Sequence, residues 1–315
     1  MIITKQQNLR KTILTALFVL AGLMLFIDPA LAHESHSLKD DLTLWKAVVL
    51  GMVEGLTEFL PVSSTGHLLG AKEFLDLGHT EITEEAIDSY IVSIQIGAIF
   101  AVAVLYSSRL KQMIRGISGE SLEGRQILTS LIVAFIPTAL IGYFASDFVK
   151  DELYGLLPVA GAWIAGGIGI LAIHKRHFFR IEGSGLESLS PMHATAIGFV
   201  QALALWPGVS RSLVTILAAV AIGLSLKAAV EFSFLLGFVT LAAATIFELG
   251  ANGQEVVDNF GYSAPIIGIL VAFVTAVASV RWMVNWLETK SFAVFGYYRI
   301  LVGVAALILI AVGYF

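Results

Sequence analysis

Two short polar segments, each interrupted by a proline, carry most of the residues that could do chemistry in this chain. The first runs from Glu54 to His67 and the second from Trp206 to Thr215. Together they hold two carboxylates, an imidazole, an arginine and a cluster of hydroxyls. Ionisable residues within apolar sequence are costly to bury and mark functional sites by default. This set of groups can bind a metal ion, attack phosphorus and neutralise phosphate charge.

The two carboxylates of the first segment, Glu54 and Glu58, are four residues apart and therefore share one face of a helix. Two buried carboxylates this close repel each other unless a proton or a cation lies between them. They favour either a Mg²⁺ or Ca²⁺ site with oxygen ligands or an acid–base pair that shares a proton.

A new helix is predicted to begin just after Pro61, because proline breaks the preceding helix. Ser63, Ser64 and Thr65 can cap its N-terminus, and the free N–H groups there can bind a phosphate. Ser64 is a candidate nucleophile if His67 takes its proton. Alternatively, His67 attacks phosphorus itself, protonates the leaving group or activates a water molecule.

The second segment repeats this plan around Pro207, with Arg211 as its outstanding residue. The rigid fork of donors and permanent charge of an arginine suit a phosphate clamp. Ser210, Ser212 and Thr215 can add hydrogen bonds to phosphate or cap the helix.

The composition predicts the elements that must position these groups. The chain has 315 residues, of which 57% are hydrophobic and only 14% are charged, so we expect an all-α polytopic membrane protein. Its net charge of −5 and the lack of a long basic run give no indication of nucleic-acid binding. Since it has no cysteine, thiolate catalysis, zinc–thiolate sites and disulfides are excluded.

The N-terminal 32 residues resemble a secretory signal peptide, with an apolar stretch that ends before Ala30-Leu31-Ala32. An uncleaved signal anchor is the alternative. Residues 33–41 would in both cases form an extracytoplasmic tail.

The rest of the chain divides into two halves of the same layout, residues 42–190 and 191–315. Each half has a proline-broken pair of short apolar segments followed by three long ones, which predicts six full transmembrane helices and two re-entrant hairpins. The short pairs cover about 44–59 with 62–76 and about 192–206 with 210–223, and the long segments cover about 89–107, 127–147, 156–174, 229–249, 263–284 and 297–315.

Loop charges orient the predicted helices. The loops 108–126, 175–190 and 281–299, the last including Arg299, are rich in Lys and Arg and should be cytoplasmic, whereas loop 71–88 is acidic. Equivalent loops of the two halves have opposite charge, which is typical of inverted-topology repeats. The hairpin tips would then meet near the middle of the membrane.

Other residues have simpler interpretations. Tyr297 and Tyr298 are predicted to be interfacial anchors. The glycines of the long segments, Gly166 and Gly237 among them, are predicted to permit close helix packing.

The first motif, Glu54-Gly-Leu-Thr-Glu58-Phe-Leu-Pro-Val-Ser-Ser64-Thr-Gly-His67, and the second, Pro207-Gly-Val-Ser-Arg211-Ser with Thr215, resemble the bacterial undecaprenyl-diphosphate phosphatase family of the bacitracin-resistance type. The resemblance implies a membrane hydrolase that converts undecaprenyl diphosphate to undecaprenyl phosphate, the carrier recycled for peptidoglycan synthesis. It also implies interlocked inverted repeats with re-entrant helices, dependence on a divalent metal, a bacterial inner membrane location and a site open to the periplasm. The family's nucleophile falls on Ser64, with His67 assisting or competing, and its phosphate-binding arginine on Arg211. This chain departs from the family's pattern at Leu213 and Val214, where smaller residues are usual.

A transporter or flippase for an anionic lipid is the alternative, because inverted repeats with broken helices are also a transporter plan. The Glu54, Glu58, Ser64 and His67 set exceeds what anion binding requires, and therefore favours the enzyme. Type-2 phosphatidic acid phosphatases are rejected, since no matching histidine follows Arg211. The sequence also allows a homodimer.

Overall fold

The computed structural model describes residues 42–78, 80–174, 183–287 and 290–314. The predicted signal peptide and the tail at 33–41 lie outside these residues. Within them the chain is helical and has no β-strand. This confirms the all-α class predicted from the composition.

Eleven α-helices make up the described part of the chain. In the first half they are α1 (Leu44–Thr57), α2 (Ser64–Phe74), α3 (Glu81–Leu105), α4 (Ser107–Ile117), α5 (Leu122–Phe148) and α6 (Leu156–His174). In the second half they are α7 (Pro191–Gln201), α8 (Arg211–Ala221), α9 (Leu226–Phe260), α10 (Ser263–Leu287) and α11 (Ala293–Ala311).

Six of the described helices are long and apolar enough to cross a membrane, and they correspond to the six long segments predicted from the sequence. The pairs α1–α2 and α7–α8 are too short to cross, because an α-helix of 14 residues spans only about 21 Å. The chain is therefore a multi-pass membrane protein with two broken helix pairs. The opposite orientation of its two halves in the membrane stays a prediction.

The two halves interlock through their short pairs. Helix α1 packs on α10 of the second half, and α7 packs on α5 of the first half. Glycines permit both close approaches: a Cβ added at Gly51 would meet the carbonyl oxygen of Gly268 at 2.6 Å, and one added at Gly198 would meet that of Ala134. The second helix of each pair, α2 or α8, begins just after the proline-broken tip.

The segment 108–126, which was predicted to be a loop, is partly helical, because α4 occupies Ser107–Ile117. Its apolar residues recur at helical spacing, and Met113 faces the protein while Ile114 and Ile117 are exposed. Arg109 ties this helix to α9 through an ion pair with Glu231 at 2.6 Å. Short length and high charge concealed the amphipathic pattern.

Candidate active site

The two proline-broken tips, predicted separately from the two motifs, contact each other directly. The Ser63 hydroxyl accepts a hydrogen bond from the Gly208 backbone N–H at 3.1 Å. The Ser212 hydroxyl donates to the Leu60 carbonyl at 2.7 Å. The interlocked packing thus joins both motifs into one buried polar site.

In both α2 and α8, the serine just before the first helical residue has a strained backbone conformation. Ser63 has φ = 71° and Ser210 has φ = 76°, and each side chain accepts a hydrogen bond from the N–H three residues on, in Gly66 and Leu213. Such conformations cost about 1–3 kcal/mol for residues other than glycine and cluster at functional sites. Here they turn the chain sharply enough for Ser64 and Arg211, the next residues, to face the same space.

Glu58 contacts both Ser64 and Arg211 through its carboxylate. Its Oε2 accepts a hydrogen bond from the Ser64 hydroxyl, and its Oε1 accepts one from Arg211 Nη2 at 2.9 Å. All three side chains are almost completely buried. A carboxylate that accepts the hydroxyl hydrogen of a buried serine is placed to remove that proton. The partner of Ser64 is thus Glu58 rather than His67.

The guanidinium of Arg211 is closely surrounded by residues of other helices and of the first tip. Its Nη1 donates to the Ser233 carbonyl on α9 at 2.8 Å, and its guanidinium lies 5.5 Å from the centre of the Phe59 ring. A Cβ added at Gly237, one turn further along α9, would overlap the guanidinium. This glycine therefore makes room for the arginine, whereas the sequence indicated only helix packing.

Gly237→Ala is expected to lower kcat/KM for hydrolysis by about 10²-fold, since small misplacements of a positioning group can cost that much. The flexible end of Arg211 can move aside, so the fold should persist. Gly250→Ala on the same helix is the control, because nothing lies near its added Cβ. Thermal unfolding and steady-state kinetics of both variants would check this; equal activity of the two would contradict the role of Gly237.

Glu54 is fully buried, and neither of its carboxylate oxygens has a hydrogen-bonding partner among the described residues. A buried carboxylate without a partner is costly and fits a bound cation. The described residues contain no group of three or more His, Asp and Glu side chains that could hold a metal ion. The pair of carboxylates at this site, Glu54 and Glu58, suits Mg²⁺, because this ion often binds one or two carboxylates together with substrate phosphates.

The remaining hydroxyls differ in availability. Thr215 bonds to the Arg211 carbonyl at 2.8 Å and to the Ser233 hydroxyl at 2.7 Å. Ser210 contacts Ser212 at 3.1 Å. The Thr65 hydroxyl has no hydrogen-bonding partner in the part of the chain that the structure describes. Of the predicted phosphate-binding hydroxyls, that of Thr65 is therefore the freest to bind a ligand. Ser63 and Ser212 connect the two tips, whereas Thr215 connects α8 to α9.

His67 is bound at both ring nitrogens. Its Nδ1 lies 2.6 Å from the Ser63 carbonyl and its Nε2 lies 2.8 Å from the Tyr298 hydroxyl. Tyr298, which was predicted to be an interfacial anchor, is also a partner of His67. Its contact with His67 joins residues 231 positions apart, which no local sequence pattern reveals.

Arg299 was wrongly assigned to a cytoplasmic loop, because α11 begins about one turn earlier than predicted. The side chain is fully buried and donates to the carbonyls of Pro61 at 3.3 Å, Ala162 at 2.9 Å and Gly208 at 2.8 Å. It therefore binds both hairpin tips at once. A Cβ added at Gly166 would overlap its guanidinium, so this glycine too accommodates an arginine.

Comparison with known proteins gives a consistent result. The family model described as bacitracin resistance protein BacA matches residues 47–305. Undecaprenyl-diphosphatase 2 of Rhodospirillum rubrum is 38% identical over 269 residues, covering 85% of this chain and 95% of that protein. Undecaprenyl-diphosphatase 1 of Acinetobacter baylyi is 40% identical over 276 residues, covering 87% and 98%. Undecaprenyl-diphosphatase of Aquifex aeolicus is 39% identical over 264 residues, covering 83% and 96%.

The matched region contains all eleven helices except the ends of the first and the last. It includes both proline-broken tips and every residue of the Glu58, Ser64 and Arg211 cluster. Because the match extends over most of this chain and of its relatives, the chain belongs to the bacitracin resistance protein BacA family.

Proposed function

We propose that this protein is an undecaprenyl-diphosphatase, an integral membrane hydrolase that releases inorganic phosphate from undecaprenyl diphosphate and leaves undecaprenyl phosphate. Its relatives carry this name. The product would return to cell-wall synthesis as the lipid carrier, and the activity would confer bacitracin resistance. The observation that carries the proposal is the buried carboxylate of Glu58, shared between the Ser64 hydroxyl and Arg211.

The geometry favours Ser64 as the nucleophile and Glu58 as its base. The Ser64 oxygen attacks the terminal phosphorus while its proton passes to Glu58, and Glu58 gives this proton to undecaprenyl phosphate as the bond to the bridging oxygen breaks. Water then attacks the phosphoserine with the deprotonated Glu58 as its base. The bond from phosphorus to the Ser64 oxygen breaks, and Glu58 returns the proton to Ser64 as inorganic phosphate leaves. The sequence favoured His67 as the base, but the contact of Ser64 with Glu58 supports this carboxylate instead.

Arg211 neutralises phosphate charge in this scheme. It lies beside the base and is anchored by the Ser233 carbonyl, so the substrate meets a donor that is already oriented. The N-terminus of α2 at Ser64, with the free hydroxyl of Thr65, would bind phosphate oxygens from the other side.

A divalent cation would be held by Glu54, with Glu58 as the second carboxylate. When bound, the ion would neutralise the charge on the phosphate oxygens and polarise the phosphorus. The orphaned oxygens of Glu54 support this assignment.

The location follows from the loop charges and stays part of the proposal. Basic residues near α4 would keep that end in the cytoplasm. The hairpin formed by α1 and α2, which carries Ser64, would enter from the opposite side. The enzyme would thus lie in the inner membrane with its site open to the periplasm.

The test is phosphate release from undecaprenyl diphosphate by the full-length protein in detergent, with undecaprenyl phosphate as the control substrate. Release is expected from the diphosphate only. A chelator should reduce it to about a tenth or less, and Mg²⁺ or Ca²⁺ should restore it, because the metal neutralises phosphate charge. Binding of the lipid without phosphate release would instead indicate a carrier. Phosphate release at the same rate with and without the chelator would contradict the metal requirement.

A further inference from the structure

The ring of His67 has a defined tautomer because a backbone carbonyl can only accept hydrogen bonds. Its Nδ1, 2.6 Å from the Ser63 carbonyl, must therefore carry a proton. In the neutral ring Nε2 is then an acceptor, and the Tyr298 hydroxyl, 2.8 Å away, donates to it. The tyrosine is thus the partner of the nitrogen that can gain a proton.

Two aromatic rings also fix the plane of the imidazole. The Tyr298 ring is stacked on it, with centres 5.7 Å apart and planes 8° from parallel. Trp163 meets it edge-on at 5.0 Å, and its own Nε1 donates to the Val62 carbonyl at 2.8 Å. The imidazole is therefore held between α6 and α11, the last long helix of each half.

A phenol can maintain this contact through a change of protonation. Its hydroxyl donates to Nε2 when the imidazole is neutral, and its oxygen accepts from Nε2–H when the imidazole is protonated. A residue whose only role was to pack against His67 would not need the hydroxyl. Tyr298 is 39% exposed, whereas Ser64 on the same helix as His67 is buried.

We propose that Tyr298 is a positioning residue for His67, which holds Nε2 in place through the hydroxyl hydrogen bond. This inference rests on the proposed function for its consequence in turnover, while the hydrogen bond itself can be measured without turnover. His67 lies one turn beyond Ser64 on α2, so the orientation of its ring matters to any substrate bound there.

Tyr298→Phe is the test, and Tyr297→Phe is the matched control. Tyr297 is the neighbouring residue and is 66% exposed, and its hydroxyl has no hydrogen-bonding partner among the described residues. Tyr298→Phe is expected to lower kcat about tenfold, since a small misplacement of a group beside the reacting atoms can cost up to about 10²-fold. Its KM should change less than about twofold, because the hydroxyl acts through His67 rather than on ground-state binding. Tyr297→Phe should match the wild type.

A double substitution separates positioning from general damage. In a His67→Gln background, Tyr298→Phe should cause no further loss, since residues that act through one another are not additive. An equal loss in both backgrounds, or wild-type kcat in Tyr298→Phe, would overturn the proposal.

Nitrogen-15 spectra of histidine-labelled, full-length protein provide a readout that is independent of activity. The His67 signals, assigned by their loss in His67→Gln, should show the Nδ1–H tautomer in the wild type and in both tyrosine variants, because the Ser63 carbonyl remains. The Nε2 resonance should match in the wild type and Tyr297→Phe and move downfield in Tyr298→Phe, where this nitrogen loses the hydroxyl donor. An unchanged Nε2 resonance in Tyr298→Phe would contradict the inference. If the proposed function itself failed, the wild type would release no phosphate, whereas this spectral difference would remain.

Discussion

Ser64→Ala is expected to lower kcat for phosphate release by about 10⁴-fold or more, the scale seen when a catalytic nucleophile is removed. The variant lacks the oxygen that would attack phosphorus, but it retains Arg211 and the N-terminus of α2. Binding of undecaprenyl diphosphate should therefore persist. Kinetics with sensitive phosphate detection, together with lipid binding to the same preparation, would measure both effects.

Ser93→Ala is a suitable control for this substitution. Ser93 is also buried, but its hydroxyl donates to the Tyr90 carbonyl of its own helix at 2.7 Å, away from the tips. It should retain wild-type activity. Substantial turnover by Ser64→Ala would exclude a phosphoserine and shift the mechanism to direct attack by water, with Glu58 or His67 as the base.

Arg211→Ala is expected to lower kcat/KM by about 10³-fold, because it removes an oriented donor from a buried site where charge develops. The substitution also removes the guanidinium that pairs with the Glu58 carboxylate. Arg211→Lys should recover only part of the loss, since a lysine has one ammonium group and cannot bind the Ser233 carbonyl and Glu58 in the same fork geometry.

The control for loss of positive charge is Arg115→Ala. Arg115 is exposed on α4 and pairs with Glu120 at 3.2 Å, so its removal should leave kcat/KM within about twofold. Near-wild-type activity of Arg211→Lys would indicate that only the charge of residue 211 matters, which would contradict the clamp geometry.

These predictions combine residues that are easy and hard to find from sequence. Glu58, Ser64 and Arg211 are prominent because a charged or hydroxyl residue beside a proline break stands out in apolar sequence. Tyr298 and Arg299 are not prominent, since they lie at the start of a long helix where aromatic and basic residues usually mark the membrane surface. Only their contacts distinguish them from such anchors.

The amino-acid sequence by itself determined the class, the six long helices and the two proline-broken pairs. The reason is physical: apolar length sets which segments can cross a membrane, and Pro61 and Pro207 stand where the two short pairs are interrupted. The same local rules placed Glu54 and Glu58 on one helical face.

Only the tertiary structure decided which of these groups contact each other. Ser64 bonds to Glu58 because the strained turn at Ser63 folds α2 back toward α1. Arg211 reaches Glu58 from 153 residues away because the two halves interlock and Gly237 leaves space for it. Such contacts depend on how distant helices pack against each other. Helical periodicity predicts only which face of its own helix a residue occupies.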